Sequence, residues 1–287
     1  MSVPQQHNGV AAAAGEGLLR LLFGLSLAAV AVVLIFKNPL WFASATVLAG
    51  ILAAREWHRL VRARREALQG YAVHGQIAVT AITIAVAVLA LLLRQKLAAF
   101  GFLAAGAAIA YLLGRLQRDN PLWHAAGVLY VGIACLSLTA LQAQAPHSST
   151  VVLGLFLIVW STDTGALVFG KLIGGAKLAP AISPGKTWAG TIGGSLTGAT
   201  VYALYIAVLS FNALLAFVFA LAFSAVAHGG DLFESYVKRR FGIKDSGGLI
   251  PGHGGALDRL DSTFAAAPVM ALLVFGLNFN PLFGGHW

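Results

Sequence analysis

The sequence predicts an all-α, polytopic integral membrane protein of about nine transmembrane helices, with a cytoplasmic N-terminus. Three observations carry that expectation. First, 59% of the 287 residues are hydrophobic and only 10% charged, against about 25% charged in soluble domains, and the mean hydropathy is +0.82. Second, apolar runs long enough to cross a bilayer, about 20 residues each, recur along the whole chain. Third, alternating the loops between these runs puts fifteen of the 19 Lys and Arg on one side. Such a split is the bias that keeps basic loops in the cytoplasm, and a missed span would destroy it.

In chain order, residues 1–16 are small and polar with Glu16 as their one charge, and read as a loose lead rather than a cleaved signal. Spans follow near 18–36 and 38–54, divided by the turn signal Asn38-Pro39. The basic segment Arg55–Gln69 reads as an interfacial helix or a solvated cytoplasmic face. Further spans are expected near 75–93, 97–114, 121–142, 150–170, 188–209, 211–229 and 262–283. The seventh carries Gly190, Gly194 and Gly198 at four-residue spacing, which lets another helix approach closely. The last contains Pro268, a kink that membrane helices tolerate. Residues 1–149 read as an N-terminal transmembrane scaffold half. Residues 150–287 read as a C-terminal catalytic half of the same continuous membrane domain, because they hold nearly all the unusual polar residues.

Several function classes fall away. The net charge of +9 is explained by cytoplasmic loops and anionic lipid, and no basic stripe lies on a soluble element, so nucleic acid is not a partner. The single cysteine, Cys135, sits in an apolar run and allows neither an internal disulfide nor a Cys/His zinc site. Gly185-Lys186-Thr187 looks like the end of a P-loop, but Pro180 stands where that motif needs its first glycine.

The polar residues concentrate between Asp231 and Asp261, a stretch holding five of the chain's 10 acidic residues. Charge beside membrane-spanning helices is costly and therefore suggests use. If the eighth helix continues, Asp231, Glu234, Ser235 and Lys238 share one face. A glycine-rich segment, Gly247-Gly248 and then Pro251-Gly252-His253-Gly254-Gly255, can bring backbone amides to a phosphate. Asp258 and Asp261 share a helix face, where their repulsion is relieved by a cation between them. Carboxylates beside Lys238, Arg239, Lys244 and Arg259 make up a nucleotide–metal site, since magnesium takes one or two carboxylates plus substrate phosphates. Upstream, Asp163 lies within an apolar span, and Lys186 is a candidate phosphate contact.

Ser235-x-Val237-Lys238-Arg239, Lys244-Asp245-x-Gly247, Ile250-Pro251-x-His253-Gly254-Gly255 and Asp258-Arg259-Leu260-Asp261 together resemble the signature of phosphatidate cytidylyltransferases, also called CDP-diacylglycerol synthases. Ser183-Pro184-x-Lys186-Thr187 and Asp163-Thr164 are similar to that family as well. Ala189 and Ala256 depart from it, standing where an acidic and a larger aliphatic residue are usual. The resemblance implies transfer of CMP from CTP to phosphatidic acid for phospholipid synthesis, with magnesium, alone or with a second cation. It implies a bacterial cytoplasmic (inner) membrane location, an active site facing the cytoplasm and open to membrane lipids, and a homodimer. On this reading Asp231 and Asp258 hold metal, with Asp261 beside them. Lys238, Lys244 and His253 complete the catalytic group. Ser183, Lys186, Thr187, Ser235, Arg239, Gly254, Gly255, Arg259 and Asp163 contact substrate. The rival readings are a CTP-dependent lipid kinase and an ion-coupled membrane transporter using Asp163 and Asp231; against the latter, polarity is gathered at one loop rather than at the bilayer midplane, and no inverted repeat is visible.

Overall fold

The computed structural model describes residues 24–62, 71–243, 247, 255–280 and 285–286. Lys244, His253 and Gly254 lie outside the described residues. The described residues form nine helices: α1 (Gly24–Phe36), α2 (Pro39–Arg62), α3 (Tyr71–Leu92), α4 (Lys96–Leu116), α5 (Pro121–Gln144), α6 (Ser148–Leu172), α7 (Trp188–Val208), α8 (Ala213–Arg240) and α9 (Leu257–Ala271). Helices are the expected answer for apolar runs in lipid, because each satisfies its own backbone polar groups. α3 to α9 are long and apolar enough to cross a membrane, α9 with its extension to Gly276. Large apolar side chains such as Leu97, Leu116 and Val208 face outward, as a lipid-facing surface requires.

Helix boundaries follow local chemistry. The Asn38 side chain accepts from the Leu40 amide at 2.9 Å where α2 begins. Thr187 caps α7 by accepting from the Gly190 amide at 3.1 Å, and Asn212 caps α8 through the Leu215 amide at 3.1 Å. Pro268 lacks the amide that would continue the ladder, and α9 passes into a π-helical turn over Leu272–Gly276.

Three expectations are corrected. The last span starts at Leu257 and ends at Gly276, with Phe279–Asn280 then pairing with Gly285–His286, so it does not run over 262–283. The described part of the segment from Arg55 is no solvated face. α2 continues to Arg62, and Glu56, Trp57, His58, Leu60, Val61 and Arg62 are buried in the bundle. Between α6 and α7 the chain forms a short antiparallel hairpin, β1 (Lys177–Ala179) with β2 (Ser183–Thr187), where only a loop was anticipated.

The tightest helix pair is α6 with α7, and glycine is the reason. A Cβ on Gly190 would stand 2.7 Å from the Ala166 carbonyl oxygen, and one on Gly194 would stand 2.6 Å from that of Thr162. The predicted close approach therefore occurs between these two helices. α2 to α5 pack on one another, while α9 packs against α8, α5 and α2 and so joins the two halves. The C-terminal ends of α2, α4, α6 and α8 gather at one end of the bundle. Arg62 there pairs with Asp119 at 2.9 Å, and Arg239 donates to the Ile182 carbonyl at 3.2 Å.

Candidate active site

At that end a cavity of about 560 Å³ opens between α6, the hairpin, α7, α8 and α9. Each wall owes its place to a local feature. α6 contributes Asp163, Gly170 and Lys171, and the hairpin folds back over it with Ser183, Gly185, Lys186 and Thr187. α8 contributes His228 and Asp231, and the start of α9 contributes Asp258, Arg259, Asp261 and Ser262. α8 reaches α9 this closely because Gly230 has no side chain. A Cβ there would lie 2.7 Å from the Asp261 carbonyl oxygen and 2.6 Å from the Ala265 Cβ.

Two ion-paired groups organise the charges. Lys186 Nζ lies 2.6 Å from Asp231 Oδ2, so the hairpin lysine meets the α8 aspartate across the cavity. Lys238 Nζ lies 2.6 Å from Glu234 Oε2 and 2.7 Å from Asp258 Oδ1, bridging α8 to α9. The other Asp258 oxygen, Oδ2, accepts from the Gly255 amide at 2.8 Å. The Ser262 hydroxyl donates to Asp163 Oδ1 at 3.4 Å, and the Ser262 amide to Asp261 Oδ1 at 2.7 Å.

Among the described candidates, Asp163, Ser183, Lys186, Thr187, Asp231, Asp258, Arg259 and Asp261 line this one cavity. Thr187 also spends its hydroxyl oxygen on capping α7. Ser235, Lys238, Arg239 and Gly255 are not in the lining. Lys238 holds Asp258 from behind, and Arg239 straps the hairpin to α8. Ala189, one of the departures noted above, faces an apolar groove with Phe169 and Ile173 on the other side of the α6–α7 pair.

Sequence reasoning missed three participants. His228 lines the cavity, with Nε2 lying 3.3 Å from Ser195 Oγ and 3.2 Å from the Thr191 carbonyl oxygen. It stands three residues before Asp231, so reading the helical face backward from Asp231 finds it. Glu234, 1% exposed, was placed only on the helix face it shares with Asp231 and Lys238, not in a bridge to α9. Glu56 of α2 accepts hydrogen bonds from the Ala256 and Leu257 amides, and nothing local to it signals that contact.

Excess carboxylate oxygen in a cavity is the donor chemistry of a hard divalent ion such as magnesium. No group of three or more His, Cys, Asp or Glu is arranged to hold a metal among the described residues. The fit is therefore to an ion held by one or two carboxylates and completed by substrate phosphates and water, the usual magnesium arrangement.

The model of the Cytidylyltransferase family matches residues 18–277. The chain is 39% identical over 263 residues to the phosphatidate cytidylyltransferase of Brucella melitensis biotype 1, covering 91% of this chain and 93% of that protein. It is 43% identical over 163 residues to that of Rickettsia bellii, covering 54% and 70% respectively. It is 41% identical over 149 residues to that of Staphylococcus saprophyticus, covering 51% and 56%. A match running from the first span through the last, with an acid- and lysine-lined cavity at its polar end, makes the chain a member of the cytidylyltransferase family.

Proposed function

We propose that this protein transfers CMP from CTP to phosphatidate, forming CDP-diacylglycerol and pyrophosphate. The observation that carries the reading is the single cavity in which Lys186, Arg259, Asp231, Asp258 and Asp261 meet at the ends of membrane helices. Relatives bearing the name phosphatidate cytidylyltransferase support it. A phosphate oxygen of phosphatidate attacks the α-phosphorus of CTP. The bond from that phosphorus to the bridging oxygen breaks, and the electron pair leaves with pyrophosphate. The attacking phosphate monoester carries about −1.5 to −2 charge at pH 7, so no general base is required.

The difficulty is bringing two polyanions together, and the cavity's cations address it. Lys186 and Arg259 are placed to hold phosphates, and Lys238 keeps Asp258 in place. Magnesium, when bound, supplies charge neutralisation for the nucleotide phosphates and the departing pyrophosphate. Asp231 and Asp258 are the residues that would hold it, with Asp261 beside them. Lipid enters sideways with its acyl chains in the bilayer, which suits a cavity at the end of the helices. The gathering of basic residues at that end supports an inner-membrane protein with this site in the cytoplasm.

The test is incubation of detergent-purified protein with CTP, phosphatidate and magnesium. CDP-diacylglycerol and pyrophosphate are expected in equal amounts, and EDTA abolishes both. CDP with a further phosphorylated lipid would instead mark a CTP-dependent kinase, and no turnover would remove the enzyme reading.

A further inference from the structure

Glu56 belongs to the half of the chain read as scaffold, yet it grips the start of α9. It is 2% exposed. Its Oε1 accepts from the Ala256 amide at 2.9 Å, and its Oε2 accepts from the Leu257 amide at 2.7 Å. The first amides of a helix have no partner within the helix, and at α9 the residue in the capping position is Ala256, which offers no side-chain acceptor. One carboxylate from α2 thus does, two-handed, what a local cap would do at other helices, and its negative charge also suits the positive end of the helix dipole. Gly247 packs on the same carboxylate, since a Cβ there would stand 3.0 Å from Glu56 Oε1. The next residue after Leu257 is Asp258, whose Oδ2 accepts from the Gly255 amide.

Resting on the proposed CMP transfer, we infer that Glu56 is a positioning residue: its carboxylate sets where α9 begins and thereby the placement of Asp258 and Asp261. The surrounding contacts make it rigid enough to do so. Trp57, the next residue, donates from Nε1 to the Trp123 carbonyl at 2.8 Å and packs with Tyr130 at a ring separation of 5.3 Å. Tyr130 in turn donates to the Asp261 backbone carbonyl at 3.4 Å. α2 and α5 therefore hold α9 at two points flanking its acidic residues. Replacing Glu56 by Gln keeps the shape but turns an NH2 toward one of the two amides, leaving that amide without an acceptor.

The experiment compares wild type, Glu56→Gln, Glu56→Ala and Thr80→Val in detergent. Thr80→Val serves as a control that removes a buried hydroxyl 2.7 Å from His58 Nε2 in the same half, away from α9. For each, amide hydrogen exchange over Gly255–Asp261, the melting temperature, and kcat and KM for both substrates are measured. For Glu56→Gln the expected result is exchange at Ala256 and Leu257 faster by about tenfold or more, one unit of 1.4 kcal/mol in the opening equilibrium. With it, kcat drops by about 10²-fold, the scale of a small misplacement of reacting groups, while both KM values stay within about threefold. Thr80→Val should lower the melting temperature with kcat and the α9 exchange unchanged. Unaltered exchange at those two amides in both Glu56 variants overturns the inference, as does a kcat loss that Thr80→Val reproduces at equal loss of melting temperature. If wild type itself makes no CDP-lipid, the activity reading fails separately, and the exchange data still decide whether Glu56 anchors α9.

Discussion

Two clusters of charge sit at the same end of the bundle and differ in one respect. In the first half, Arg62 Nε lies 2.9 Å from Asp119 Oδ2, which lies 3.2 Å from His124 Nε2. His124 Nδ1 lies 2.9 Å from His58 Nδ1, and His58 Nε2 lies 2.7 Å from Thr80 Oγ1. His58 and His124 are 0% exposed and Asp119 1%. In the second half, Lys186, Asp231, Asp258 and Asp261 line an open cavity, and the Asp231 side chain is 35% exposed. The first cluster is sealed and its groups face each other. The second faces space that a ligand can enter. Charge near a membrane is costly in either case, so cost alone does not mark chemistry. Access does. The sealed cluster joins α2, α3 and the α4–α5 turn, which is the work of a fastener.

This contrast is broken or sharpened by four substitutions. The largest effect is expected at Asp258→Asn, where loss of a carboxylate serving the phosphates removes several kcal/mol of transition-state stabilisation. CDP-diacylglycerol formation from radiolabelled CTP should drop by about 10³-fold, with an unchanged chromatographic profile. Near wild-type turnover would remove Asp258 from the site. Next comes Asp119→Asn in the sealed cluster. It leaves the buried Arg62 without its carboxylate, a loss of about 3 kcal/mol of stability. The melting temperature should fall while turnover per folded molecule holds. A selective loss of kcat there would erase the distinction between the clusters.

Smaller again is Lys186→Ala. The ammonium facing Asp231 is lost from an open site, and KM for CTP or phosphatidate should rise about tenfold, equivalent to 1.4 kcal/mol. An unchanged rate at limiting substrate would count against a phosphate contact. The smallest is Thr80→Val, which deletes a neutral buried hydrogen bond to His58 worth about 1 kcal/mol. Calorimetry should detect a shift of a few degrees with no change in either KM.

Much of the architecture was legible in the chain because lipid imposes a simple rule. A backbone that cannot bond to solvent must be helical, so each apolar run of adequate length becomes a helix. The glycine face of Gly190 and Gly194 was legible for the same local reason, since periodicity states which residues share a face. The acidic and basic residues between Asp231 and Asp261 were readable as a candidate site because they are near neighbours in sequence. The misreadings came where periodicity reports a polar face but not what covers it. The segment from Arg55 was read as an interfacial helix or a solvated face because it is basic, yet in its described part, up to Arg62, α5 and α9 pack on α2 and Asp119 neutralises Arg62. Nor does spacing state which partner each basic residue takes: the fold gives Lys238 to Glu234 and Asp258, and Arg239 to the hairpin carbonyl of Ile182.

From the amino acids alone follow a helical membrane protein, the glycine face of α7 that admits a close neighbour and the family signature, since each rests on composition or on spacing within a few turns. Folding in three dimensions added the rest. It chose which lysine meets which aspartate, built the β1–β2 hairpin over the cavity, and set the Glu56 carboxylate on amides 200 and 201 residues away. Such contacts depend on how helices far apart in sequence are laid side by side, and no local pattern of side chains encodes that distance.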